Sequence, residues 1–441
     1  MSERLLVGKD QLLKPRELYR YTWPALIASL GSIVIGLTDS LLISYYSTSA
    51  LAGVALGAAV YELPINMLLG GLMAYRILAP RIHGYNTAHR ETIGLAIVLK
   101  SLLPIAGLLT AITIASSVYG YYQFDDETWS HAFSYSAARA PSFVTVVASS
   151  AMSITLVVWG RTRIPLLVFL IAAPMNLLVD YVLIYGVGSA PELGALGAGI
   201  GSTISTMLPL PVLIALIMKN RSLVPDPTVA EHYKGWQKMT RPAVWSALVD
   251  YGGNIAFTMI IAVSGAAAVA GMRFGAQLHL LAFIVISSTS SAALYILGKE
   301  FPTQRNTIRK GTHELRRTFF TIGFIAGGVI LLMSLAVSPV ISPDPNVNSA
   351  FRVSAVIIAA LCPVAGVTYA NVTLLRLFGL TNHEFISNAV GVWCAQIPVA
   401  LVLCLLSDGI LPFIGLGAYW LFRCVLSHRQ VTRYVQLTKE K

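Results

Sequence analysis

The chain has 441 residues, 56% hydrophobic and only 12% charged, and its Lys and Arg outnumber Asp and Glu by 31 to 20 for a net charge of +11. A soluble domain averages about 25% charged residues, so with a mean hydropathy of +0.70 an ordinary soluble enzyme, a disordered chain and a secreted disulfide scaffold are excluded. The basic residues lie in short runs between apolar segments, without aromatic interleaving, so the excess charge reads as membrane topology and not as nucleic-acid binding.

In chain order, charge-poor segments predict spans at 21–46, 50–75, 92–120, 132–159, 164–187, 193–218, 242–265, 268–298, 318–341, 350–375, 385–407 and 409–427. Only helices or closed barrels satisfy their backbone in lipid, and these runs far exceed the roughly ten alternating residues of a barrel strand. The expected fold is therefore all-α, with twelve transmembrane helices. If odd spans start inside, every Lys and Arg except Arg139, Arg273 and Arg352 falls on one side, and Asp125, Asp126 and Glu127 fall on the other. Both termini are then cytoplasmic, in a multi-pass protein of the cytoplasmic membrane. The apolar stretch after the charged N-terminus is too long for a cleavable signal.

The chain also repeats itself. Pro24 and Pro242, Ala52-Gly53 and Ala270-Gly271, Gly57 and Gly275, Gly197 and Gly415, and Gly199 and Gly417 all recur at one constant offset. Six spans followed by six similar spans predict two parallel lobes, 1–219 and 241–441, with a polar, Pro-containing cytoplasmic linker at 220–240. Parallel repeats of this kind are a transporter architecture.

Four acidic residues fall well inside spans: Asp39, Glu62, Asp180 and Asp250. An ionisable group at membrane depth costs at least a few kcal/mol and is a functional hypothesis by default. Asn176 and Asp180 are four apart, on one helix face beside Pro174; amide and carboxylate oxygens there suit a cation or a proton-linked network. Thr203 adds a hydroxyl, a weak signal alone because Ser and Thr are common in membrane helices. Asp250, Asn254 and Thr258 form a stripe that lines either a cavity or a helix interface. Glu62, near mid-span with Pro64 and Asn66 following, either faces a cleft and a cationic substrate or pairs with Arg139 or Arg273. Gln277 and Gln396 are further candidates to line a cavity.

His83, His89 and His279 lack ligand spacing and read as structural. Cys362, Cys394, Cys404 and Cys424 have no CxxC spacing and read as free thiols. Tyr119, Tyr121, Tyr122 and Trp129 read as an interfacial belt. No phosphate-binding loop and no catalytic constellation is present, so neither an enzyme nor a cofactor is expected.

Several segments together resemble the multidrug and toxic compound extrusion (MATE) family, within the multidrug/oligosaccharidyl-lipid/polysaccharide exporter superfamily. Pro24 through TDSLLIS, then SALAGVALG, is similar to its first two helices. GRTRIP, PMNLLVDYVLIYG and LGALGAGIGSTIS are similar to helices 5 and 6, RPAVWSALVDYGG to helix 7, and LLRLFGLTN to the loop after helix 10. The resemblance implies a V-shaped fold with a central cleft between the lobes, and export of organic cations or other amphiphiles driven by H+ or Na+. It carries the N-lobe cation site onto Asp39, Asn176, Asp180 and Thr203, with Na+ a candidate at Asp39, Asn176 and Asp180. It carries an acidic role onto Asp250. Two positions depart from the pattern: Ala365 stands where some members have an acid on helix 10, and Thr381-Asn382 replaces an Asp after the loop arginine, Arg376. Glu62 and Arg139 are not hallmarks of the family.

The expected function is a cation-coupled antiporter exporting small molecules by alternating access, with a bend of the first span near Pro24 and with Glu62, Asp250, Asn254 and Gln277 in the substrate cleft. Its partners are the substrate and membrane lipids, and a monomer is expected. The alternative is a lipid-linked saccharide flippase or an exporter of one specialised metabolite; a diphosphate would need a cationic cleft, whereas the deep charges here are mostly acidic.

Overall fold

A computed structural model describes residues 13–85, 92–124, 126–221, 228–263, 266–341, 345–406 and 411–437. The described residues are helical apart from short turns, as a backbone without water to bond must be. Among them, nine helices are long and apolar enough to cross a membrane, or ten if the bent pair below counts as one span.

The chain forms two compact units, Trp23–Ala247 and, with the residues up to Thr22, Leu248–Lys441. They are called the N unit and the C unit below. The N unit takes most of α1 (Pro15–Tyr46), then α2 (Thr48–Gly71), α3 (Met73–Tyr85), α4 (Ile93–Gln123), α5 (Glu127–Arg139), α6 (Ser142–Val158), α7 (Ile164–Tyr185), α8 (Ala195–Met207), α9 (Pro209–Asn220) and α10 (Thr228–His232). α1 runs unbroken through Pro24. The Ser47 side chain caps α2 and the Asp126 side chain caps α5, each accepting a bond from a first-turn N–H. α7 ends at Gly186 in the left-handed region, φ 67°, where a side chain would also crowd the backbone of Glu192.

The fourth expected span is broken. α5 and α6 meet at a 42° bend around Pro141, which lacks the N–H a continuous helix needs. Hydroxyls satisfy the carbonyls exposed at this break: Thr203 donates to Ala138 (2.7 Å), Ser142 to Arg139 (2.7 Å) and Thr110 to Ala140 (3.0 Å). The break thereby sets Arg139 at the last residue of α5.

The described part of the expected linker, from 228 to 240, packs within the N unit. Tyr233 and Trp236 are buried, the Tyr233 ring lies against Gly94, and Thr240 donates to the Gly71 carbonyl at 3.3 Å. Burial of these rings drives their hydroxyl-bearing and indole-bearing helix turns onto the unit despite the surrounding polar sequence.

The C unit follows with most of α11 (Trp236–Val263), then α12 (Ala266–Lys310), α13 (Thr312–Ile341), α14 (Pro345–Leu377), α15 (Thr381–Val390), a π-helical turn (Gly391–Gln396), α16 (Ile397–Leu406), a 3-10 turn (Leu411–Ile414) and α17 (Gly415–Leu437). α12 continues past the expected span end into the basic segment and kinks at Gln304 (φ −120°, ψ 25°), two residues after Pro302. Small residues let helices approach, as expected where lipid offers no hydrophobic drive. Gly323 and Gly327 of α13 lie against Ala359 and Cys362 of α14, and Gly366 of α14 lies against Phe319 of α13. The repeated glycines serve the same purpose: Gly53 and Gly57 let α2 meet α5, Gly197 and Gly199 let α8 meet α7 and α5, and Gly415 lets α17 meet α16.

Candidate functional site

In the N unit, α7 turns its polar face inward and its apolar face outward. Asn176 and Asp180 are 2% and 0% exposed, whereas Leu178, between them, is 56% exposed. The amide Nδ2 of Asn176 donates to Asp39 Oδ1 of α1 and to Asp180 Oδ2, both at 2.6 Å. The Asn176 amide thus bridges the carboxyl groups of Asp39 and Asp180. The amide oxygen of Asn176 accepts from the Ser205 hydroxyl of α8 at 2.9 Å, so the side chain is held at both ends.

Asp180 Oδ1 fits because residue 201 is glycine: a Cβ there would overlap that oxygen. This oxygen is buried and has no hydrogen-bond donor among the described residues.

Arg139 closes the other side of the cluster. Its Nη1 donates to the Tyr135 hydroxyl and, at 3.4 Å, to Ser202 Oγ. The guanidinium stacks 4.6 Å from the centroid of Tyr61, whose ring lies 4.9 Å from Phe143. It exerts its field on both Asp39 and Asp180. Ser142 bridges the Tyr61 hydroxyl (2.9 Å) and the Arg139 carbonyl (2.7 Å).

The C unit holds a second polar network. Asp250 Oδ1 accepts from Asn388 Nδ2 at 2.7 Å, and Asn388 Oδ1 accepts from the Tyr419 hydroxyl at 2.9 Å. That hydroxyl accepts in turn from Arg423 Nη1. Four side chains on three helices thus point their donors in one direction, from guanidinium to carboxylate. Beside them Arg376 grips Glu384 through Nε to Oε2 (2.9 Å) and Nη2 to Oε1 (2.5 Å). The π-helical turn begins three residues after Asn388; such turns inside α-helices recur at functional sites.

These contacts revise several expectations. Asp39, Asn176 and Asp180 are brought together, but Thr203 is not part of their cluster: its hydroxyl serves the broken end of α5, and Ser205 bonds Asn176 in its place. Glu62 does not pair with Arg139, which is held by Tyr135, Ser202 and the Tyr61 ring; Glu62 is exposed, and its carbonyl accepts from Asn66 Nδ2 at 2.7 Å. Asp250 engages Asn388, while Asn254 is exposed and its carbonyl accepts from Thr258 at 2.8 Å. The side chains of Gln277 and Arg273, and all of His89, lie outside the described residues. Arg352 donates to Ser338 at 2.5 Å. His279 packs against the rings of Phe283 and Trp420, and Gln396 is buried in the π-helical turn.

Tyr135, Ser202, Ser205 and Gly201 in the N unit, and Glu384, Asn388, Tyr419 and Arg423 in the C unit, were not singled out by sequence. One signal was there to find. Each unit carries a Tyr-x-x-x-Arg pair, Tyr135/Arg139 and Tyr419/Arg423, with the arginine one helical turn after the tyrosine whose oxygen it holds.

The family model described as MatE matches residues 24–182. A "probable multidrug resistance protein NorM" of Geobacillus kaustophilus is 23% identical, covering 92% of this chain and 91% of that protein. A protein of the same description from Bacillus subtilis is 24% identical with the same coverages, 92% and 91%. Among solved structures, a mutant of the Vibrio cholerae MATE transporter VcmN superposes with a TM-score of 0.83 at 16% identity, over 96% of this chain and 97% of that one. A multidrug/oligosaccharidyl-lipid/polysaccharide superfamily transporter from Pyrococcus furiosus gives 0.82 at 14% identity, over 97% of each chain; its published description concerns a binding pocket of reversed polarity. The twelve-helix fold of those transporters is the fold of this chain. The chain is thus similar to MATE transporters: the MatE model matches its residues 24–182, relatives described as multidrug resistance proteins align with it over nearly their full length, and it has the fold of the solved transporters.

Proposed function

We propose that the protein is a multidrug-type efflux transporter: a cation-coupled antiporter that exports organic, mainly cationic or amphiphilic, small molecules across the cytoplasmic membrane. The observation that carries this reading is the Asp39–Asn176–Asp180 cluster, a pair of carboxyl groups bridged by one amide, with a donorless oxygen on Asp180. Uptake of H+ or Na+ there changes how α1 and α7 are tied together, since the Asn176 bonds are what join them. Substrate and cation must bind the two faces with different affinities for coupling to arise; alternation of the N and C units supplies those two states. The protein works as a monomer with both termini cytoplasmic, uses no cofactor and catalyses no covalent step. A lipid-linked saccharide flippase is less well supported: Arg139, Arg376 and Arg423, the arginines it would turn toward a diphosphate, are each committed to protein partners.

The test is efflux of a cationic dye from proteoliposomes under separately imposed pH and Na+ gradients, wild type beside Asp39→Asn and Asp180→Asn. Gradient-driven efflux in the wild type that is lost in both variants supports the proposal. A folded wild type that moves no dye under either gradient rejects it.

A further inference from the structure

The family resemblance admits Na+ at Asp39, Asn176 and Asp180, but the groups around these side chains do not fit it. A hard cation needs several oxygen acceptors turned toward it. Here the carboxylates face donors. Asn176 presents its N–H2 to both of them and gives its only acceptor oxygen to Ser205. The Ser202 hydroxyl accepts from Arg139 Nη1 at 3.4 Å, and the Thr203 hydroxyl that would complete a sodium shell is bonded to the Ala138 carbonyl. One carboxyl oxygen, Asp180 Oδ1, is left without a donor.

A permanent cation already stands beside the pair. An arginine stays charged at any working pH, and Arg139 is fixed in place by Tyr135, Ser202 and the Tyr61 ring. The charged and titratable groups around the carboxyl pair are Arg139 and Tyr135 from α5 and Tyr61 from α2; α8 contributes hydroxyls only among the described residues.

We infer that Arg139 is the residue that closes this site to Na+, its guanidinium supplying from within the protein the positive charge that a sodium ion would otherwise bring. The inference rests on the proposed antiport reading for its transport consequence, which is that efflux is blind to a sodium gradient and leaves the proton as the coupling ion. Its binding consequence stands independently of that reading.

The experiment is binding of radiolabelled sodium to the purified, full-length protein in liposomes, for wild type, Arg139→Gln and Arg139→Lys, with dye efflux under each gradient measured on the same preparations. The wild type and Arg139→Lys are expected to show no saturable sodium binding. Arg139→Gln is expected to gain saturable sodium binding, because it removes the one unit charge whose repulsion opposes a cation there. Arg139→Met reads the same loss of charge if the glutamine variant does not fold. Saturable sodium binding or sodium-driven efflux by the wild type overturns the inference, as does a folded glutamine or methionine variant that remains as sodium-blind as the wild type. Failure of the wild type to move dye under either gradient would sink the antiport reading alone, because the binding comparison still decides the role of Arg139.

Discussion

Gly201→Ala tests the placement of Asp180 in the N unit. A methyl at this position would overlap Asp180 Oδ1 and stand 3.1 Å from the backbone nitrogen of Asp180, so neither the residue nor its main chain has room to yield in place. The carboxyl group has to leave its rotamer, and with it goes the 2.6 Å bond from Asn176. Overpacking costs about 1–3 kcal/mol and loss of a hydrogen bond to a charged group about 1.5–3 kcal/mol. The gain in helix propensity from Gly to Ala returns about 1 kcal/mol to the folded state, yet does nothing for the site. The variant should therefore be less stable by about 1.5–5 kcal/mol, with a lowered melting temperature, and efflux of the folded protein should fall about fiftyfold, since about 2.5 kcal/mol lost at the site is nearly two factors of ten at 1.4 kcal/mol each. Gly107→Ala is the control, because a Cβ there meets nothing within 4 Å; it should be neutral or slightly stabilising and fully active. Dye efflux and thermal unfolding in detergent, measured on both, decide the matter. A Gly201→Ala protein that transports like wild type would refute the placement of Asp180 and the importance of its contacts.

Other predictions follow from the same contacts. Thr203→Val should cost about 1 kcal/mol of thermal stability, because it orphans the Ala138 carbonyl at the α5 break, and should leave the choice of coupling ion unchanged; Ser205→Ala, which frees the Asn176 amide, should instead lower gradient-driven efflux. Removing either partner of the Arg376–Glu384 pair should cost about 3–5 kcal/mol, and the double variant Arg376→Met/Glu384→Leu should recover most of it; a double-mutant cycle by thermal unfolding reads this, and additive losses would count against a direct interaction. Asn176→Leu should abolish coupling while the protein still inserts and folds, as judged by expression and gel filtration.

The helical plan was largely legible because lipid imposes it: a span must lack charge and bond its own backbone, and both demands leave a mark on the sequence. Asp39, Asn176 and Asp180 were legible for a related reason, since a carboxylate at membrane depth is costly enough to stand out. The rest depends on which helix lies opposite which residue, and local patterns do not encode that. Thr203 looked like a ligand because a hydroxyl near an acid is ambiguous; its real partner arises from the break at Pro141, which sits inside an apolar run that reads as one continuous span. Glu384 escaped notice because it lies at the edge of an expected span, where charge is ordinary, although its bonds to Arg376 bury it. The hydroxyls of Ser202 and Ser205 carry no signal of their own in helices where such residues are common. Arg139 was noticed as an exception to the charge bias, but its placement against Tyr135 and Tyr61 needed the fold.

If ion uptake at the carboxyl pair of the N unit drives export, cation and substrate must oppose each other's binding. Linkage makes this measurable at equilibrium, because a substrate that binds one protonation state must change the number of protons held. Purified protein in weakly buffered detergent solution, titrated with a cationic dye while proton release is recorded, tests it most directly. Wild type should release protons in proportion to bound dye, with the release abolished in Asp180→Asn even though dye still binds. Dye binding without proton release in the wild type, or undiminished release in Asp180→Asn, would contradict the account.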